Sequence, residues 1–592
     1  MGIRCVSTIT PRGEVRFPLV IYGKEPKVMA NVKPASTASE THLGSTPVSV
    51  GEYLIRRLQD YGISDLFGIP GDYVLSLYSM LEDSEINVVG CTREDCAGFA
   101  ADAYARVHGM GAVCVTYCVG GLSVCNAIAG AFAEKSPVVL ITGSPGMNER
   151  LNNPLLHHKV RDFRTQIDVL DKLCITGAEL SDPINAFREI NRVLDAAYRY
   201  KRPVYLDLPR NIVNVVPQLT HPYHQVDATA SEEVVNEAAD EIVHAIESAK
   251  RPLILAGVEI HRFGLQDYVL QFAEQTEIPV ASTMLGKSVI RETHPLYVGL
   301  YEGALGHDAV TEFVESSDLI LMLGTFMTDI NMGINSASLD NARCINITSE
   351  QLQIKNHFYH DVALKDLMEA IISRPVFAQR RRIPDRLTIT SPTIQVEDSR
   401  PIEISRMVTM LNEQLDSNTM VIADIGDSLF AATDLVTQGR TEFISPAYYT
   451  SMGFSVPAAL GAQVARPDQR VVVLCGDGAF QMTGMELSTI VRNGYAPIVF
   501  VLDNGGYGTE RVLHPGSWEY NEIHSWDYSK IPQVLRGGTG YEVHTEGDLA
   551  DVLEKAWNDR DGLSLVHVHL SRNDMSRTLK RLGERMRPTV GG

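Results

Sequence analysis

A chain of 592 residues, 44% hydrophobic and 21% charged, has room for three or four ordinary domains and enough apolar material to give each a core. Its formal charge of −21 argues against nucleic acid as a partner, because phosphate backbones are held by basic surfaces. No apolar run is long enough to cross a bilayer, no signal peptide is evident, and nine cysteines without CxxC or metal spacing suit buried thiols in a reducing cytoplasm rather than a disulfide scaffold.

Residues 1–46 are rich in Pro, Ser, Thr and Lys without lasting periodicity, which predicts an irregular N-terminal extension; Met29 opens an ordinary polar stretch, MANVKPASTASE, and is a candidate alternative start. Regular patterning begins at Ser49. Residues 50–61 form an amphipathic helix, 66–73 a strand end with a Gly/Pro turn, and 87–91 a short strand with Glu94 directly after it. Residues 112–117 are a strand, Gly120-Gly121 a break, 122–134 a helix, 138–141 a strand and 202–208 a closing strand, giving a first α/β domain over 47–215. After a polar linker, strands at 253–256, 279–282, 319–323 and 344–347 define a second α/β domain over 236–373, with no catalytic cluster of its own and an expected structural role. A linker over 374–400 leads to a third domain, 401–572. The basic, weakly amphipathic tail 573–592 is either a solvated helix or a lid.

The third domain holds the most specific stretch. Residues 471–475 are an apolar run of strand length, Gly476-Asp477-Gly478 breaks it, a helix over about 484–493 presents Met485, Leu487 and Ile490 on one face, and 498–502 is a second buried strand. This grammar repeats that of 112–141. It predicts doubly wound parallel sheets and places Asp477 and Asn504 at the carboxyl ends of two parallel strands, where open α/β sheets bind ligands. A carboxylate from Asp477, an amide oxygen from Asn504 and a backbone carbonyl at Gly506 are hard donors, few in number, suited to Mg2+ completed by phosphate oxygens and water. Gly478 and the helix start offer N–H donors to a diphosphate. A bare GDG is common in tight turns, but one followed after about 25 residues by Asn at the next strand end is specific.

This pattern resembles the thiamine diphosphate motif, and residues 47–575 are similar to the pyruvate and indolepyruvate decarboxylase family. The resemblance implies three doubly wound domains (aminopyrimidine-binding, central and diphosphate-binding) and the cofactors thiamine diphosphate and Mg2+. It also implies a homodimer or homotetramer in which one subunit's glutamate meets another's diphosphate site. Glu94, in CTREDCAGFAADAYAR, takes the position of the glutamate that protonates the aminopyrimidine, which calls for a water-poor site; by itself it is also a plain helix-start acid. Asp72 in GDY, His157 and His158 in NNPLLHHKV and Glu510 ending GGYGTE match the family's proton-transfer set. Each taken alone is an ordinary loop Asp, surface His pair or solvated Glu. Glu510 is expected to act around decarboxylation, Asp72 and His158 in proton transfer and aldehyde release, and His157 in support.

In YYTSMGFSVPAA, Met452 matches the residue that props the cofactor, and Thr450 stands where several relatives have Gly. Ala479, Tyr507, Gly508 and Thr509 complete the implied cofactor contacts, while Asp503 departs from the family's frequent Asn-Asn pair. Ile425, Leu429, Thr509 and Leu513 match substrate-pocket positions, and Leu429 replaces a large aromatic of pyruvate-preferring relatives. Smaller apolar walls favour branched, longer linear or aromatic 2-oxo acids. The expected reaction is non-oxidative decarboxylation of a 2-oxo acid to an aldehyde. An acetolactate synthase-like carboligase and a non-catalytic phosphate-ligand-binding regulator are the alternatives; complete retention of Glu94 and the proton set disfavours the second.

Overall fold

The computed structural model describes residues 47–224, 230–387, 394–439 and 443–590. The extension expected over 1–46, with the candidate start at Met29, lies outside them. Three sheets follow one another along the chain. The first is built from β1 (Asp65–Gly68), β2 (Asn87–Gly90), β3 (Gly111–Val115), β4 (Val138–Ser144), β5 (Thr176–Glu179) and β6 (Val204–Pro209) in the spatial order β2-β1-β3-β4-β6-β5, every pair parallel. β3 and β4 are buried along their whole length, as strands covered on both faces by helices must be, and this is why they read as unbroken apolar runs.

The second sheet comprises β7 (Pro252–Ala256), β8 (Val280–Ser282), β9 (Tyr297–Leu300), β10 (Leu319–Leu323), β11 (Cys344–Ile347), β12 (Leu352–Ile354) and β13 (His357–Tyr359), ordered β13-β12-β11-β10-β7-β8-β9. Its core is parallel, but β12 and β13 add an antiparallel edge that the sequence pattern did not suggest. Each is three residues long, too short for alternation to register. The third sheet contains β14 (Thr419–Ala423), β15 (Phe443–Ile444), β16 (Arg470–Gly476), β17 (Ile498–Asp503), β18 (Thr539–Val543) and β19 (Ser564–His569), ordered β15-β14-β16-β17-β19-β18 and wholly parallel. Counted from its own first strand, this order is the same as that of the first sheet.

The outer domains meet through two helices, Glu94–His108 and Ser455–Ala465. Both carry small residues on the contact face, and a Cβ on Gly461 would stand 2.0 Å from the Ala100 carbonyl oxygen. Backbone cannot yield as a side chain can. Gly461→Ala is therefore expected to cost about 3 kcal/mol in the free energy of unfolding, read by denaturant titration. An ion cluster closes the same interface: Arg106 binds Asp102 (2.8 Å), Glu134 (2.9 Å) and the Ser445 carbonyl (3.0 Å), while the second Glu134 oxygen accepts the N–H groups of Tyr448 (2.8 Å) and Tyr449 (3.0 Å). Every charged member is buried and partnered, the condition under which buried charge is tolerated.

One expectation changes here, and the solvated-helix alternative for the tail falls away. The helix placed over 484–493 begins instead at Asp477 (Asp477–Thr483), tightens to a 3-10 turn at Gly484–Glu486 and resumes over Leu487–Arg492. Met485, expected on the buried face, is 56% exposed, because the tight turn rotates it away from the Leu487 and Ile490 side. The C-terminal tail is a docked helix, Arg577–Val590, whose Leu579 and Leu582 are buried in the third domain. Arg587 donates to the Val512 carbonyl (2.7 Å) and Ser576 N–H to Asp427 (2.9 Å), so the tail braces the segment that carries Glu510.

Candidate active site

One half of the site lies at the carboxyl edge of the third sheet. β16 and β17 pair with Gly476 opposite Leu502, so Asp477 and Asn504 leave adjacent strands at the same end. Asp477 opens its helix and is buried. Its Oδ1 accepts the Gly478 N–H (2.7 Å) and its Oδ2 the Gly506 N–H (2.9 Å), which ties the two loops together. Burial raises the Asp477 carboxyl above its ordinary range, opposed by the Gly478 N–H and reinforced by the nearby Asp503 charge. Burial acts on Asp503 too, but hydrogen bonds from His567 (2.9 Å), Ser525 (2.7 Å) and the Gly505 N–H (3.0 Å) outweigh it and hold that carboxyl low. Asp503 is thus a brace beneath the loop, a role consistent with its departure from Asn.

The loop needs its glycines: Gly505 and Gly506 have φ of 74° and 138°, and a Cβ on Gly506 would stand 2.0 Å from the Asn521 carbonyl oxygen. A Cβ on Gly478 would lie 2.7 Å from the Tyr507 ring and 3.6 Å from the Met452 methyl, so Met452, Gly478 and Tyr507 converge on one cradle. Gly508 is as tightly placed, 2.8 Å from Asn504 Nδ2 by the same measure. Ala479 is buried behind the cradle. Thr450 is left-handed, with φ of 58°, which explains why glycine is an alternative there. A carboxylate, an amide oxygen and a glycine backbone around this cradle are a donor set that fits Mg2+ and a diphosphate.

Sequence reasoning missed Asp424. It is fully buried at the end of β14; Oδ1 accepts the N–H groups of Ile425 (2.9 Å) and Gly453 (3.1 Å), and Oδ2 that of Ser455 (2.8 Å). It fixes the turn that carries Thr450 and Met452 to the strand that carries Ile425. An acid directly after the apolar run MVIA was the available signal.

The other half lies on the first sheet. His157 Nε2 meets Asp72 Oδ2 at 2.9 Å, and the His157 ring stacks on Tyr73 with centroids 4.9 Å apart. Of the two imidazoles, Asp72 therefore orients that of His157. His158 lies edge-on to it, centroids 4.8 Å apart, with a left-handed φ of 66° and a buried Nδ1 that has no hydrogen-bond partner. Arg210 approaches Asp72 at 3.6 Å. Glu94 is the first residue of its helix, half-buried, with Gly120 beside it: a Cβ there would lie 3.6 Å from Glu94 Cγ. The backbone just before it is anchored across the domain interface by the Thr92 N–H to buried Glu486 (3.0 Å). No hydrogen bond among the described residues joins Glu94, Asp72 or the His pair to Asp477, Asn504 or Met452.

The expected substrate wall divides. Ile425 and Leu513 are half-buried at the edge of the apolar core, and Thr509 Oγ1 would lie 3.6 Å from a Cβ on Gly426. Leu429 is fully enclosed, in the same apolar core as Phe430 and Leu579. With no exposed surface, Leu429 does not line a wall as expected. Glu510 is exposed on the short helix Gly508–Leu513, free to meet a substrate.

Sequence comparison points the same way. Residues 48–167 match the family model of the thiamine pyrophosphate enzyme N-terminal TPP binding domain, 239–374 the central domain and 424–568 the C-terminal TPP binding domain. Indole-3-pyruvate decarboxylase of Azospirillum brasilense is 35% identical over 540 residues, covering 90% of this chain and 97% of that one. Alpha-keto-acid decarboxylase of Mycolicibacterium paratuberculosis is 33% identical, covering 91% and 96%. Pyruvate decarboxylase isozyme 1 of Saccharomyces cerevisiae is 32% identical, covering 88% and 95%.

Proposed function

This chain belongs to the thiamine diphosphate-dependent 2-oxo acid decarboxylases, and from that premise we propose that it uses Mg2+, acts on 2-oxo acids larger than pyruvate and releases the corresponding aldehyde and CO2. The observation that carries the proposal is the cradle of Met452, Gly478 and Tyr507 beside the oxygen donors of Asp477 and Asn504. When bound, the cofactor supplies the electron sink for the carboxylate's departing bond. Asp477, Asn504 and the Gly506 carbonyl would hold the metal, and the N–H groups at the helix start would be donors for the diphosphate. Glu94 would hold the proton exchanged with the aminopyrimidine. Glu510, exposed at the mouth of the site, assists the loss of CO2 and the protonation that follows. Asp72 orients His157, and the unpartnered His158 Nδ1 is available to a product or substrate oxygen.

The two half-sites are on separate sheets, and among the described residues no hydrogen bond joins Glu94, Asp72 or the His pair to Asp477, Asn504 or Met452, which supports completion of each site by a second copy in a homodimer or homotetramer. Eight described cysteines are free thiols and no described helix is long and apolar enough to cross a membrane, which supports a cytoplasmic enzyme. Substrate size rests on the modest walls at Ile425, Thr509 and Leu513. Steady-state rates on a panel should give kcat/KM for 4-methyl-2-oxopentanoate, phenylpyruvate or indolepyruvate at least about 10-fold above that for pyruvate. A clear preference for pyruvate would overturn the size assignment while leaving the reaction class intact.

A further inference from the structure

The far edge of the third sheet carries a cluster that the decarboxylation chemistry does not use. β18 and β19 are parallel with Glu542 opposite His567 and Val543 opposite Val568, which brings His544, one residue beyond β18, level with His569. Side chains two apart on a strand share a face, so the four polar side chains of Glu542, His544, His567 and His569 project together, with the two valines on the other side. The ligand atoms of Glu542, His544 and His569 all lie within 4.8 Å of one another. Glu542 Oε2 is the hub: it touches His569 Nε2 and lies 3.5 Å from His567 Nδ1 and 3.9 Å from His544 Nε2. Its other oxygen is occupied by the Ser529 hydroxyl, which fixes the carboxylate's orientation. The rings crowd without interposed side chains, His544 to His569 at 4.0 Å and His567 to His569 at 3.8 Å between centroids.

We propose that Glu542, His544, His567 and His569 form a binding site for a divalent transition-metal ion of the Zn2+ type. The independent observation is His567. Its side chain is only 4% exposed, yet Nδ1 is buried with no hydrogen-bond partner. Nε2 is held by Asp503 Oδ2 at 2.9 Å. With Nε2 turned to Asp503, the unpartnered Nδ1 of the same ring faces the cluster, 3.5 Å from Glu542 Oε2. This is the carboxylate–histidine–metal arrangement by which a bound imidazole is oriented and made more basic. Three imidazoles and one carboxylate are the donors of Zn2+ and its neighbours, and are poorly matched to Mg2+, which takes oxygen and water. The two sites therefore select different ions, although the Asp503 that orients His567 immediately precedes Asn504.

The test uses the full-length holoenzyme with thiamine diphosphate and Mg2+ saturating, dialysed against Zn2+, with bound zinc counted per chain and Co2+ used in parallel for its visible spectrum. Wild type should hold one Zn2+ per chain and give the intense absorption of four-coordinate Co2+. His544→Ala and His569→Ala should each weaken Zn2+ binding by at least about 10-fold while Mg2+ and cofactor content stay unchanged. His544 is 61% exposed, so its removal does not endanger the fold, and Glu542→Gln gives a third variant of unchanged shape. Zinc bound equally by wild type and all three variants would place the ion elsewhere, on the thiols or on the Asp72–His157–His158 group, and would overturn the proposal. So would the absence of a retained equivalent in wild type.

Discussion

Glu94→Gln should keep thiamine diphosphate bound and lose about 10³-fold in kcat, the scale of a positioned proton-transfer group. The substitution leaves shape and backbone intact. The segment before it stays anchored by the Thr92–Glu486 hydrogen bond, and Gly120 still gives the side chain its space. The helix loses one acid from a first turn that also contains Asp95, a change of about 0.5 kcal/mol in stability by the macrodipole argument. Cofactor affinity by calorimetry and kcat by aldehyde release separate the two roles: unchanged affinity with lost turnover identifies proton exchange, whereas a variant within a few-fold of wild type in kcat reduces Glu94 to a helix-start acid.

Asp477→Ala should abolish metal-dependent cofactor retention, weakening it by at least about 100-fold. Two effects act together. The metal loses its carboxylate ligand, and the N–H groups of Gly478 and Gly506 lose their acceptor in a buried setting, at about 1–3 kcal/mol each. Metal removal from wild type with EDTA should release the cofactor in the same assay. The pH dependence has a defined sign. Burial raises the Asp477 carboxyl in the metal-free protein, so a proton competes with the cation; apparent Mg2+ affinity should fall as pH is lowered from neutrality toward the ordinary carboxylate range. Affinity that is independent of pH and of Asp477 would move the metal elsewhere.

The diphosphate half of the site was legible because its information is local: a buried strand, a glycine-flanked acid, a short connection and an Asn at the next strand end all fall within 471–504. The doubly wound plan followed from the same grammar in 112–141. What escaped depends on contacts distant in sequence. Leu429 is enclosed in a core that also contains Leu579, about 150 residues later. Asp424 is a positioning residue only because its oxygens meet Gly453 and Ser455. The pairing of Asp72 with His157 and not His158 joins residues 85 apart in sequence, which no spacing rule encodes. The histidine cluster needs the register of β18 on β19, and HVH by itself is an unremarked strand end.

The most direct measurement of the central claim is the ratio of aldehyde to CO2 released from 4-methyl-2-oxopentanoate by the purified enzyme, with and without thiamine diphosphate and Mg2+. A value near one aldehyde per CO2, seen only when both cofactors are present, is what this site should give. CO2 accompanied by a ligated hydroxy-keto product in place of free aldehyde, or turnover that persists without thiamine diphosphate, would contradict it.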